Sequence, residues 1–236
     1  MVNKPAKFKL PELTQLCKLI TPRLVSKVAR KYGIDKQART FTPWSHIVSL
    51  LFAQLTHSIG LNDVCDTLRI HSRCLGSLRA TVAPTRNTLS HAYKTRNSDM
   101  MQDLFWEELS DLENKMPGGF GLKYKGLPRR FKKAIYAVDS STIALVANCM
   151  SWAKHRRRKA AAKLHLRLNL QSFLPAFAIV EEASHHDDTR APALCAHLQE
   201  DEIALFDKAY VNFTHLYNLC QRGVFWVTRA KGNMSY

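Results

Sequence analysis

At 236 residues the chain can hold one large domain or two small ones around a real core, and a 46% hydrophobic share excludes a disordered chain. Thirty-five Lys and Arg against 19 Asp and Glu leave a net charge of +16, which suits a polyanionic partner, either nucleic acid or an acidic membrane surface. The longest apolar run, IVSLLFAQL from Ile47, is too short to span a bilayer, and MVNKPAKFKL lacks the apolar core of a signal peptide. Six cysteines without a CxxC pair read as scattered thiols of a reducing compartment, so the expected location is cytoplasmic and nucleoid-associated, without a membrane.

Residues 10 to about 116 read as helices. PELTQLCKLITPRLVSKVARKYG repeats apolar residues at helical spacing and stops at Gly33. Thr42-Pro43-Trp44 is an N-cap with a first-turn proline, opening a helix to about His57 that is apolar on most faces and central to its own bundle. Short helices follow Gly60 and Pro84. Ser98-Asp99 then starts MMQDLFWEELSDLENKM, where Met101, Phe105, Leu109, Leu112 and Met116 line one side; Pro117-Gly118-Gly119 ends it.

From Phe131 the rhythm changes to five strand-like runs: KAIYAVDSSTIAL, KLHLRLNL, FLPAFAIVEEA, IALFDKAY and VFWVTRAK. Helices fit DDTRAPALCAHLQE and NFTHLYNLCQRG between the later runs. Three adjacent strands suggest an antiparallel meander, and the later strand–helix alternation suggests parallel additions. The fold class expected is α/β, an RNase H-like mixed five-stranded sheet with flanking helices. An all-helical domain over residues 1–116, for DNA binding or dimerisation, and a linker over 117–130 precede the sheet domain over 131–236.

Asp139 stands inside the apolar run of the first strand, and Asp207 stands at the far end of the fourth. In an RNase H-like sheet those strands are neighbours, so two carboxylates would face each other and repel unless a cation lay between them. Hard oxygen ligands favour Mg²⁺ or Mn²⁺, ions that activate a nucleophile for attack on phosphorus. The other reading is two independent strand-end aspartates, one capping the turn that follows.

The pieces YAVDSSTI, AAKLHLRLNL, SHHDDTRA, LFDKAYVNF and FWVTRAKGN, in that order, resemble the catalytic domain of DDE transposases of the insertion sequence 4 family. FTPWSHIVSLLFAQLTHSIGLNDVCDTL and APTRNTLSHAYKTRN resemble the helical domain preceding it, so the resemblance covers about residues 13 to 234. It implies Asp139 and Asp207 as the first two catalytic, metal-binding acids. It also implies Mg²⁺ or Mn²⁺ as cofactor, and transposition of an insertion sequence by DNA cleavage and strand transfer. The family's glycine near Ala209 is absent. Its third acid is a glutamate in a Tyr–Arg–Glu–Lys signature on a helix past the fifth strand. Glu181, Glu182, Glu200 and Glu202 all fall too early to match it. The expectation is therefore a C-terminally truncated copy lacking that helix, inactive or weakly active; the alternative is a non-catalytic DNA-binding inhibitor of full-length transposase.

The basic run KHRRRKAAAK offers Lys154, Arg156, Arg157, Arg158, Lys159 and Lys163 to DNA phosphates, or is a solvated loop. Lys163 and His165 match a family motif, and His165 reads equally as a satisfied strand residue. Arg229, Lys231 and Asn233 alternate along the last strand as further DNA contacts. In SHHDDTRA, Asp187 or Asp188 is expected to cap a helix rather than hold a metal. Arg69, Arg73, Arg79 and Arg86 favour DNA as the partner of the N-terminal helices, with a homo-oligomer also compatible.

Overall fold

The computed structural model describes residues 10–34, 36, 38–56, 58, 60–119, 126, 130–145, 154–155 and 159–230. It divides into two units, Met1–Leu112 and Glu113–Tyr236.

The first unit is helical: α1 (Leu10–Leu19), α2 (Pro22–Lys31), α3 (Pro43–Thr56), α4 (Leu61–Ile70), α5 (Ser72–Gly76), α6 (Arg86–Thr95) and α7 (Asp99–Lys115). The periodic stretch expected from Pro11 to Gly33 is two helices, because Pro22 starts a new one at Thr21. The freed Thr21 backbone N–H donates to Glu108 Oε1 at 2.9 Å, and its hydroxyl donates to Asp111 Oδ2 at 2.9 Å. Thr42 caps α3 as expected, its Oγ1 accepting from the Ser45 N–H at 3.1 Å. Val48 and Phe52 on α3 are buried to 0% and 1% exposure, at the centre of a core with Leu13, Leu68, Leu75, Leu89 and Met100. Each such side chain contributes about 2 kcal/mol.

On α7 the buried positions are Met100 and Leu104, and the expected Phe105 points outward. The reason is electrostatic. Asp103 takes Lys31 at 2.5 Å and Tyr32 at 2.8 Å, and Glu107 takes Lys27 at 2.7 Å. These pairs fix the rotation of α7 against α2, which carries the neighbouring Met100–Leu104 stripe inward.

The second unit is a sheet of β1 (Ile135–Leu145), β2 (Lys154–His155), β3 (Lys159–Asn169), β4 (Pro175–Glu182), β5 (Ile203–Phe206) and β6 (Phe225–Thr228). β2 is a two-residue addition, paired with the start of β3, to the five strands read from the sequence. β1, β3 and β4 form the antiparallel meander, and β5 and β6 add in parallel, giving the order β4-β3-β1-β5-β6 of an RNase H-like sheet. Two short elements precede β5, a 3₁₀ turn at Asp187–Thr189 and α8 (Ala191–Leu194), where one longer helix was expected. Neither starts with a side-chain cap; Asp187 is engaged by Lys163 instead. A 3₁₀ turn at Lys208–Tyr210 follows β5, and α9 (Phe213–Gln221) leads to β6.

One sheet face carries Val138, Ala204 and Phe206, packed with Leu194, Tyr210, Leu216 and Leu219 into a second core. On the other face Val180, Phe225 and Val227 are more than half exposed. Gly119, at φ +57°, belongs to this unit; a Cβ there would lie 2.5 Å from the Ser172 carbonyl oxygen on the β3–β4 turn, so only glycine fits.

Candidate active site

β1 and β5 run parallel with Val138 opposite Phe206 as their last paired rung. Asp139 is the next residue of β1, and Asp207 is the next residue after the end of β5, one step past that rung. β5 stops there while β1 continues to Leu145 against β3 alone. Asp139 therefore lies where the sheet loses β5 and β6 and narrows to β1, β3 and β4, and it is exposed. The apolar run around Asp139 does not bury it: apolar residues continue along β1, but the cover does not. Ile143 is 46% exposed.

The Asp139 Oδ1 accepts the Ser140 N–H at 2.7 Å. Asp207 Oδ1 accepts the Lys208 N–H at 2.6 Å and Arg229 Nη2 at 2.8 Å. The Arg229 guanidinium, with the Lys208 amide, holds the Asp207 carboxyl below the usual carboxylate range. So Asp207 does cap its turn. The turn is 3₁₀, and Ala209 needs no positive φ in it, which accounts for the missing glycine. Among the described residues, no group of three or more His, Cys, Asp or Glu side chains is arranged to hold a metal ion. The pair alone fits a hard cation of the Mg²⁺ kind, which is commonly held by one or two carboxylates together with water and substrate phosphates.

Behind Asp139, on the covered face, lies a polar cluster that the sequence reading did not assemble. His165, fully buried and opposite Ser140, has Nδ1 3.2 Å from Tyr210 Oη and Nε2 3.0 Å from Glu181 Oε1. Arg190 Nε donates to Glu181 Oε2 at 2.6 Å. Lys163 Nζ donates to the His185 carbonyl at 2.8 Å and to Asp187 Oδ1 at 3.2 Å. Burial lowers the His165 pKa and pushes the Tyr210 phenol up to about 12. Burial also pushes the Glu181 carboxyl up, but Arg190, His185 and His165 outweigh it and the net shift is downward. His165 is thus the satisfied strand residue. Ser140, opposite His165, belongs to this covered face. The detectable signal was period two: Lys163, His165 and Arg167 alternate inward along β3.

Of the basic residues, Lys163 is turned inward with a side chain 13% exposed, whereas Arg229 is 76% exposed and reaches back to Asp207. The backbone of Lys154 and Lys159 lies in the β2–β3 pairing, where Lys159 faces His155. Arg156, Arg157, Arg158, Lys231 and Asn233 lie outside the described residues.

The strand order, with acids at the matching ends of the two central parallel strands, makes the second unit an RNase H-like domain. Residues 130–236 match the transposase DDE domain family, and residues 10–78 match a domain of unknown function, DUF4372. The probable transposase for insertion sequence element IS5377 of Geobacillus stearothermophilus is 24% identical over 225 residues, covering 95% of this chain and 54% of that relative. The chain therefore spans about half the length of the curated relative it matches. Among solved structures, a piggyBac transposase synaptic complex with hairpin DNA is similar at 10% identity and TM-score 0.42, covering 98% of this chain and 52% of that one. A simian T-cell lymphotropic virus intasome in complex with PP2A regulatory subunit B56 gamma is similar at 14% identity and TM-score 0.29, covering 60% of this chain and 47% of that one.

No helix among the described residues is long and apolar enough to cross a membrane.

Proposed function

We propose that this chain acts on DNA as the catalytic part of an insertion-sequence transposase, with Asp139 and Asp207 as a carboxylate pair for Mg²⁺ or Mn²⁺. The observation that supports the reading is the register of β1 against β5, with Val138 opposite Phe206 and an aspartate one residue past each, within the segment that matches the transposase DDE domain. A divalent cation, when bound, supplies charge stabilisation for the phosphoryl oxygens of the DNA backbone. The chain's own residues do the rest. The Ser140 and Lys208 amides each hold one oxygen of a carboxylate, Asp139 Oδ1 and Asp207 Oδ1. Arg229, one hydrogen bond from Asp207, is placed to exchange that carboxylate for a backbone phosphate. The segment of Lys154, Arg156, Arg157, Arg158 and Lys159, with Lys231 and Asn233, supplies further DNA contacts, and Lys163 braces the site from behind.

The element's terminal sequences and its target are the expected DNA partners. A hard cation held by two carboxylates completes its shell with water and substrate phosphates, so metal binding by the pair is expected to be weak without DNA. The test is nicking of supercoiled DNA by the 236-residue chain in Mn²⁺. Nicks that disappear in both Asp139→Ala and Asp207→Ala support the reading. DNA binding without nicking, unaltered by either substitution, replaces it with the non-catalytic inhibitor.

A further inference from the structure

β5 is four residues long and ends at Phe206, so Asp207 lies beyond the last rung that ties it to β1. Something other than the ladder must keep its carboxylate beside Asp139. Asp207 opens a 3₁₀ turn whose far end is Tyr210: the Tyr210 N–H donates to the Asp207 carbonyl at 3.0 Å, and the Lys208 N–H donates to its carboxylate at 2.6 Å. The turn is one small rigid unit with a phenol at its end. That phenol is 1% exposed and meets His165, which pairs across the sheet with Ser140, the residue after Asp139.

The donors and acceptors have one consistent direction. The Glu181 carboxylate, gripped by Arg190, accepts only, so His165 Nε2 carries the proton. In the neutral ring favoured by burial, Nδ1 is then an acceptor, and the Tyr210 hydroxyl donates to it. Asp187 Oδ1, 3.7 Å from Nδ1, is already taken by Lys163.

We propose that the Tyr210–His165 hydrogen bond is a positioning clamp, fixing the Asp207 turn to the strand rung beside Asp139 and so setting the spacing of the two carboxylates. Tyr210 and His165 are positioning residues and touch no substrate. The proposal rests on the metal-pair reading above and adds to it the device that holds the pair in place.

The experiment is Mn²⁺ binding to the 236-residue chain, followed by electron paramagnetic resonance, with unfolding temperature measured in parallel. Tyr210→Phe keeps the ring in its core and removes the hydroxyl with its bonds to His165 and Ser140, so the half-saturating Mn²⁺ concentration should rise about 10- to 100-fold, as for other groups that orient a metal ligand. DNA binding in EDTA should not change. Leu219→Val loosens the same core away from the clamp and should leave Mn²⁺ affinity at the wild-type value. Wild-type affinity in Tyr210→Phe overturns the clamp, as does an equal loss in Leu219→Val. In either case, a loss of binding in Asp139→Ala leaves the metal pair standing. Absence of Mn²⁺ binding in the wild type, or binding unaffected by Asp139→Ala, overturns the metal pair and the clamp with it.

Discussion

The two faces of the sheet treat polar residues in opposite ways within one residue of each other. On the covered face, His165, Tyr210, Glu181 and Arg190 satisfy one another, and the cluster is closed. On the open face, Asp139, Asp207 and Arg229 stand in solvent, with one oxygen of each carboxylate engaged, among half-exposed apolar side chains. Alternation along β1 puts Ser140 in the first setting and Asp139 in the second. A buried polar group must be fully paired because leaving it unpaired costs about 1–3 kcal/mol, whereas a carboxylate at the surface can keep a lone pair spare for a ligand. The closed face builds; the open face is free to react.

That contrast is broken most directly at the acids. Asp139→Ala and Asp207→Ala should each reduce Mn²⁺-dependent nicking by more than the roughly 10- to 100-fold expected of a supporting residue, with little change in unfolding midpoint. The covered face should give the reverse pattern. His165→Ala opens a cavity and strips partners from Tyr210 and Glu181, so urea denaturation should register a loss of about 3 kcal/mol.

Arg229→Gln sharpens the comparison through charge. Asp207's carboxyl is depressed in the folded chain, so its contribution is present above the ordinary carboxylate range and is lost as pH falls through the depressed value. The variant should bring the Asp207 titration, followed by carboxyl NMR shifts, back up toward the ordinary range. Its DNA affinity should show a salt dependence shallower by about one ion. Smallest of all, Val227→Thr on the open face should shift stability by less than about 0.5 kcal/mol in the same urea titration.

The strand order was legible because β propensity and turn residues mark each of the five runs, and the three-then-alternating rhythm allows few sheets. The placement of Asp139 and Asp207 on adjoining strands followed from that order. Their surroundings did not. Ile143 looks like core in one dimension, and only the early end of β5 leaves it bare. The helix expected over 187–200 failed for a related reason: Lys163, on a distant strand, takes the aspartate that would have been its cap. On α7 the apolar stripe through Phe105 lost to the acid stripe through Asp103 and Glu107, whose partners lie on α2. In each case the deciding contact is long in sequence, where local pattern carries no information.

The one-sided run of β1 has a consequence of scale. From Asp139 to Leu145 the chain advances six residues, about 20 Å at 3.3 Å each, before β2 and the basic stretch begin. Along a duplex, that reach corresponds to about six base pairs at 3.4 Å apiece. Under the proposed action on DNA, a double helix held near Leu145 is gripped that far from Asp139, as a workpiece is clamped away from the blade.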